Sequence, residues 1–453
     1  MEACSFKNVS FTYPDRAEKA LDSVTFAVDK GELCVVIGQS ASGKSTLLKH
    51  LKKEIAPHGT LDGEVTVNGT VGYVSQYYDE SLVTDRVRSE LEFSPVNAGM
   101  SGDEIELLVA ETAAYFNLES KLDCDISTLS GGEKQILSLA SVMIMQPDFL
   151  VLDEPVAGLD PFAAAAFFDL VRTMHRDFNT TVIMATHTLG AVWDTADSAL
   201  LLDSGKMLIK GGKNAVSDYL KNKSHPMRAA LPDYTFTPKN EDTTSADSAL
   251  TAKGIFFAYD KGNDVLCGAD LTLYKNKINV IVGTNGSGKT TLLKVLCGVK
   301  KQYRGKVKTD CRISMLPQNV HDLFTHDTCG EEVTFGEVTD FLGISDIADF
   351  HPYDISGGQA QRLALAKVLE TGADILLLDE PTKGVDCVIK AELGALLKRL
   401  CNEGKTVAVV THDLDFAAQY ADYASFLSQG RIVATMPKTQ FFSRLCFYNR
   451  GAV

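Results

Sequence analysis

The chain has 453 residues, 45% hydrophobic and 23% charged, an ordinary globular balance. Its formal net charge of −15 sets up a global field that repels phosphate backbones and speaks against nucleic acid as a partner. At roughly 100–200 residues per domain, the length predicts more than one domain.

Charge appears early, at Glu2 and Lys7, with no apolar run before it, so no signal peptide is expected. No stretch of about 18 apolar residues occurs, so no membrane span is expected. The ten cysteines are scattered, with no Cys-x-x-Cys pair or metal-spaced His/Cys cluster, and read as reduced thiols. Cys34 and Cys297 sit in apolar runs and read as core residues.

In chain order, residues 35–38 read as a buried strand feeding the loop Gly38-Gln-Ser-Ala-Ser-Gly-Lys-Ser45 and then a helix over 46–51. Gln76 follows, and then Leu129-Ser-Gly-Gly-Glu133, where Ser130, Gly131 and Gly132 open a helix whose apolar periodicity resumes at Ile136. Residues 149–152 form a strand-length apolar run ending in Asp153-Glu154-Pro155, and Gly158-Leu159-Asp160 comes next. Residues 182–185 form another such run before Thr186-His187. Residues 221–249 then read as a linker, with Pro226, Pro232, Pro238 and a polar run over 240–248. A flexible chain of that length reaches roughly 30 Å.

Beyond the linker the series recurs at a period of about 225–245 residues, which marks a duplicated domain. A strand over 279–283 feeds Gly283-Thr-Asn-Gly-Ser-Gly-Lys-Thr290 and a helix over 291–299. Gln318, Ile355-Ser356-Gly357-Gly358-Gln359, a run over 375–378 ending in Asp379-Glu380-Pro381, Asp386, a run over 407–410 and Thr411-His412 follow in order. The section between Gln318 and Ser356 is shorter than its counterpart. The predicted domains are therefore 1–220 and 250–453, joined by 221–249. Strands alternating with helices predict an α/β fold with a mostly parallel sheet in each.

The glycine loops have the pattern that turns backbone N–H groups inward around phosphate oxygens, with a helix N-terminus adding partial positive charge. Lys44 and Lys289 are expected to reach the β- and γ-phosphates of ATP, and Ser45 and Thr290 to ligate Mg²⁺. Asp153 and Asp379 at strand ends suit the Mg²⁺ shell. Glu154 and Glu380 are placed to polarise an attacking water.

Together these motifs resemble the ATP-binding-cassette (ABC) ATPases, over essentially the whole chain twice. The resemblance implies two P-loop nucleotide-binding domains, each a RecA-like core with an antiparallel β-subdomain and a helical subdomain. It adds Ser40, Gly43, Thr46, Asn285, Gly288 and Thr291 to the nucleotide-binding set. Tyr13 and Tyr259 match the aromatic that stacks on adenine; as bare residues they read equally as strand aromatics. Gln76 and Gln318 match the glutamine that senses Mg²⁺ and water, Asp160 and Asp386 the D-loop aspartate. His187 and His412 match the γ-phosphate histidine. The family pairs cassettes head to tail, so the resemblance implies two composite sites, each completed by the Ser-Gly-Gly of the other cassette. Val156, Ile355, Ile136 and Thr188 depart from the pattern without removing a catalytic group, so both sites are expected to hydrolyse ATP.

After Gln76 the sequence carries Val87-x-x-Glu90-Leu-x-Phe93 and Pro95-Val-Asn-Ala-Gly99. This is similar to the ATPases of energy-coupling-factor (ECF) importers of vitamins and metal ions. That resemblance implies a membrane T-component as docking partner, a separate substrate-capturing S-component, and a peripheral place at the cytoplasmic membrane face. Val87, Leu91 and Phe93 read equally as the core face of a helix. Two other readings remain: the ATPase of a sugar importer, and a ribosome-associated tandem cassette, whose longer charged linker this chain lacks. The basic tail 438–450, with its aromatics, is expected to pack on the partner cassette.

Overall fold

Short apolar runs without polar alternation must be covered on both faces, which a parallel sheet held between two layers provides. The computed structural model describes residues 1–444 apart from 15, 17, 77, 187–188, 190–191, 224, 232–246, 261, 356 and 383–386. His187, Ser356 and Asp386 thus lie outside the described residues, as does the end of the tail. Contacts divide the chain into two compact units that part near residue 234.

The first unit contains β1 (Glu2–Thr12), β2 (Leu21–Asp29), β3 (Leu33–Ile37), β4 (Thr60–Val67), β5 (Val71–Val74), β6 (Phe149–Asp153), β7 (Thr181–Ala185), β8 (Ser198–Asp203) and β9 (Lys206–Gly212). A six-stranded sheet runs β5-β6-β7-β3-β8-β9, parallel throughout except for β9. A three-stranded antiparallel sheet runs β2-β1-β4. The period-two alternation of strands sorts the central side chains. Cys34, Val36, Phe149, Val151 and Ile183 pack on Phe6, Phe11 and Val24 of the antiparallel sheet. Val35, Ile37, Leu150, Leu152 and Met184 point the other way, into helices that contribute Leu91, Leu137 and Phe167. The unit is thus three layers with two cores.

The second unit repeats the plan with β10 (Ser248–Ala258), β11 (Asp264–Tyr274), β12 (Ile278–Val282), β13 (Arg304–Lys308), β14 (Ile313–Leu316), β15 (Ile375–Asp379), β16 (Thr406–Val410), β17 (Tyr423–Ser428) and β18 (Arg431–Pro437). Its sheets run β14-β15-β16-β12-β17-β18 and β11-β10-β13. In both units the chain leaves the central strand, β3 or β12, toward one edge and returns to its other side. Ligands of open parallel sheets bind beyond the strand C-termini at such a reversal, and both glycine loops leave from there.

The expected strands all form, but both helices after the glycine loops start two residues early, as Lys44–Lys49 and Lys289–Leu296. Gly43 and Gly288, each at φ 99°, supply the left-handed turn that lets the helix begin at the next residue.

Three further expectations change. The first part of the supposed linker belongs to the first unit: helix Lys213–Asn222 runs past residue 220, and Met227 and Leu231 are buried in that unit's core. The first strand of the second unit opens at Ser248, inside the predicted linker. In the tail, helix Lys438–Arg444 buries Phe441 in the core of its own cassette, not in a partner.

The helical sections differ as the sequence lengths require. The first has helices Val87–Asn97 and Gly102–Tyr115, the latter closed by a Ser101–Glu104 capping box. The second has the shorter helices Cys329–Glu332 and Glu337–Phe341. Val87 and Leu91 are core, but Phe93 is 46% exposed, because it falls off the buried stripe of its helix.

Candidate nucleotide sites

Each glycine loop is fixed by backbone crowding. A Cβ on Gly38 would stand 2.2 Å from the Leu202 carbonyl oxygen, and one on Gly283 2.3 Å from that of Leu427. Only glycine allows this approach. Inside the loops, the buried Lys44 ammonium donates to the carbonyls of Gly38 and Gln39, both at 2.9 Å. Lys289 does the same to Gly283 at 2.9 Å and Thr284 at 3.0 Å. Each lysine is thus a cation held within its own loop. Ser40 is half-buried and Asn285 exposed on the loop rims.

The aromatic residues are anchored to the same loops. The Tyr13 hydroxyl lies 3.0 Å from Thr46 Oγ1, and the Tyr259 hydroxyl 3.3 Å from Thr291 Oγ1. Thr46 and Thr291, buried in the first turn of the helix, therefore hold a ring beside the phosphate loop. Tyr259 is 52% exposed, so its ring is open to a stacking partner.

Asp153 ends β6 and Asp379 ends β15, both buried. Asp153 Oδ1 accepts from the Ser45 hydroxyl at 3.0 Å, and Oδ2 from the Tyr73 hydroxyl at 2.9 Å. Burial raises its pKa above the ordinary carboxylate value, against the opposing pull of those two hydroxyls. Neither oxygen of Asp379 has a hydrogen-bond partner of good geometry among the described residues. Burial pushes its pKa up to about 6, although the nearby Thr290 hydroxyl leans the other way.

Glu154 and Glu380 follow at φ 48° and 52°, the left-handed region that side chains avoid. Their amides bond to the Ala185 and Val410 carbonyls of the next strand at 2.9 and 2.8 Å, which holds the turn. Such local strain is of order 1–3 kcal/mol and persists where the surroundings enforce it. His412 Nδ1 lies 2.9 Å from Glu380 Oε2, and the His412 amide donates to the same oxygen at 3.3 Å. Gln76, half-buried, and Gln318, exposed, lie just beyond β5 and β14, the strands beside β6 and β15.

The fold thus gathers tyrosine, glycine loop, glutamine, aspartate and glutamate at one sheet edge in each unit. It does not bring the Ser-Gly-Gly helix to the loop of its own unit. That helix, Gly131–Met143, packs chiefly on Val87–Asn97, Pro161–Phe178 and β5, whereas the loop helix packs on β6 and β7. Ser130 is its N-cap, in a reciprocal capping box with Glu133. In the second unit the helix starts at Gly357. Asp160 caps Pro161–Phe178 by accepting from the Phe162 and Ala163 amides, both at 3.0 Å.

Three contacts escape sequence reasoning. Tyr73 reads as one more strand aromatic, and only its contact with Asp153 marks it. Arg362, at the place of Ile136, donates to the carbonyls of Leu342 at 3.0 Å and Gly358 at 3.3 Å, tying its helix to the helical section. Thr382, at the place of Val156, meets Thr411 at 3.1 Å between Oγ1 atoms, both buried.

The donor set suits a nucleoside triphosphate with a hard divalent cation. Loop amides and a lysine match phosphate oxygens, and hydroxyl plus carboxylate oxygens match Mg²⁺. The unpartnered Asp379 oxygens are the kind of buried charge that a cation would complete. Mg²⁺ bound there would neutralise charge building on the phosphate oxygens.

This fold and edge chemistry define a P-loop ATPase built of two cassettes. The ABC transporter family model matches residues 21–157 and 266–383, and the chain belongs to that family. It is 34% identical to an ABC transporter ATP-binding protein of Bacillus anthracis, over 98% of this chain and 93% of that one. A Streptomyces coelicolor protein described in the same words is 31% identical over 95% of this chain and 93% of its own length. Among solved structures, a chain of ribosome-bound archaeal Pelota and ABCE1 aligns at TM-score 0.74 and 22% identity, over 97% of this chain and 80% of that one. That likeness shows the fold.

Proposed function

We propose that this chain is the ATP-hydrolysing subunit of a membrane importer of the energy-coupling-factor type. One surface feature carries the reading. Phe93 and Val96, neighbours at i,i+3 on the helix after Gln76, are 46% and 58% exposed. Val83, just before that helix, is 60% exposed. An amphipathic helix of a T-component would cover such a face. The corresponding Phe335 of the second cassette packs against its own core. Transporter ATP-binding proteins as full-length relatives support the reading, and no described helix is long and apolar enough to cross a membrane. The ribosome in the name of a solved neighbour stays with that protein, since the likeness is one of fold.

In this reading Glu154 and Glu380 each accept a proton from the water that attacks the γ-phosphorus, while the bond to the β–γ bridging oxygen breaks. Lys44 and Lys289 hold the β- and γ-phosphates. His412 orients Glu380 through the 2.9 Å contact. Each glutamate is asked for a factor of about 10²–10⁴ in rate.

Two measurements test this. Glu154→Gln and Glu380→Gln should each lower steady-state ATPase substantially, and the double variant should fall at least about 100-fold. A single variant at the wild-type rate would remove that site from catalysis. The chain should sediment with T-component proteoliposomes and lose that association on Phe93→Asp. Sedimentation with ribosomes and not with the proteoliposomes would overturn the importer reading.

A further inference from the structure

The two aspartates at the ends of β6 and β15 occupy matching places in different surroundings. Tyr73 and Met315 are each the third residue of the neighbouring strand. They pair with Val151 and Leu377, two residues before Asp153 and Asp379. In the first cassette that place supplies a hydroxyl, 2.9 Å from Asp153 Oδ2. Ser45 occupies Oδ1, so the carboxylate plane is pinned through both oxygens. In the second cassette the place holds a thioether, whose sulfur lies 3.6 Å from Cys297 Sγ. Asp379 is left with no well-formed hydrogen bond among the described residues.

We propose that Tyr73 is a positioning residue that holds Asp153 ready for the nucleotide-bound divalent cation, and that the first cassette therefore binds that cation more tightly than the second. Groups that hydrogen-bond a ligating carboxylate typically change metal affinity by about 10–100-fold. The second site must orient a carboxylate with no well-formed hydrogen bond among the described residues, and that ordering opposes binding. A lower cation affinity makes the second site the one that responds when free Mg²⁺ falls. The inference rests on the reading of Asp153 and Asp379 as residues of the cation shell.

The test uses the intact chain, a non-hydrolysable ATP analogue, and Mn²⁺ in place of Mg²⁺, with free Mn²⁺ read by electron paramagnetic resonance. Wild type should show two classes of bound Mn²⁺ about tenfold apart. Tyr73→Phe should merge the tight class into the weak one, and Met315→Tyr should tighten the weak class. Both variants should bind a fluorescent derivative of that analogue as wild type does in EDTA, which excludes a damaged fold as the cause. Equal classes in wild type, or two unchanged classes in Tyr73→Phe, would overturn the proposal. Asp153→Asn separates the levels of failure. If it abolishes the tight class while Tyr73→Phe does not, only the role of Tyr73 falls; if it changes nothing, the cation-shell reading falls as well.

Discussion

Glu332 shows how a single charge is held in this chain. Its side chain is fully buried, and it accepts from the amides of Thr325 and of His326, the latter at 2.6 Å, while forming an ion pair with Lys367. Burial pushes its pKa up, but Lys367 and the two amides outweigh that, and it titrates below the ordinary 4.5. Because the native pKa lies below the unfolded one, the pair stabilises fully above pH 4.5 and its contribution is lost as pH falls through the native pKa. Lys367→Met should cost about 3 kcal/mol at pH 7, since a buried charge loses its counter-ion. The cost should shrink below pH 4.5, where the carboxylate is neutralised. Thermal unfolding of both proteins from pH 4 to 7 checks this; a gap independent of pH would assign the loss to packing. Sequence periodicity could not single out Lys367, because its partner is remote along the chain. The same holds for Tyr73 and Asp153.

At the scale of elements, the stretch that carries the importer resemblance turns out to be divided by role. Glu90 is buried, and its Oε2 accepts from the Val83 and Thr84 amides and the Thr84 hydroxyl at 3.1, 2.9 and 2.9 Å. It ties the turn after the glutamine segment to the helix Val87–Asn97, and Glu332 does the equivalent for 325–326. Val87 and Leu91 anchor that helix, whereas Phe93 and Val96 face outward. Glu90→Leu should therefore destabilise the first cassette by about 2 kcal/mol, because two part-buried amides lose their acceptor. Glu90→Gln, which keeps an acceptor, should cost about 1 kcal/mol. Denaturant unfolding of the two variants decides it: equal losses would show that the carboxylate does not carry the turn. The motif is legible as sequence, but the split between anchor and exposed face is a matter of helix rotation against the sheet. The Ser130 capping box, by contrast, is local and readable, since Ser and Glu at that spacing satisfy each other's amides in any context.

At the scale of the molecule, duplication gives two units with their own pairs of cores, and ligand binding should report on them separately. A ligand that binds only the native state stabilises it by about 2.7 kcal/mol at a concentration of 100 Kd. The magnesium complex of a non-hydrolysable ATP analogue should raise both unfolding transitions in calorimetry. Lys44→Ala should abolish the shift of one and Lys289→Ala that of the other. If either variant abolishes both, the two sites do not bind independently.

The amino-acid sequence by itself determined the duplicated domain, the strand-loop-helix units and the identity of the phosphate-binding loops. Those rest on local patterns: a glycine-rich loop between strand and helix, and apolar runs that must be buried on both faces. The tertiary structure decided what crosses between strands: which aspartate receives a tyrosine hydroxyl, which helix face is left open, and where Met227, Leu231 and Phe441 are buried. Those contacts join residues far apart in the chain. Their geometry is set by packing of the layers, which no local pattern of residues encodes.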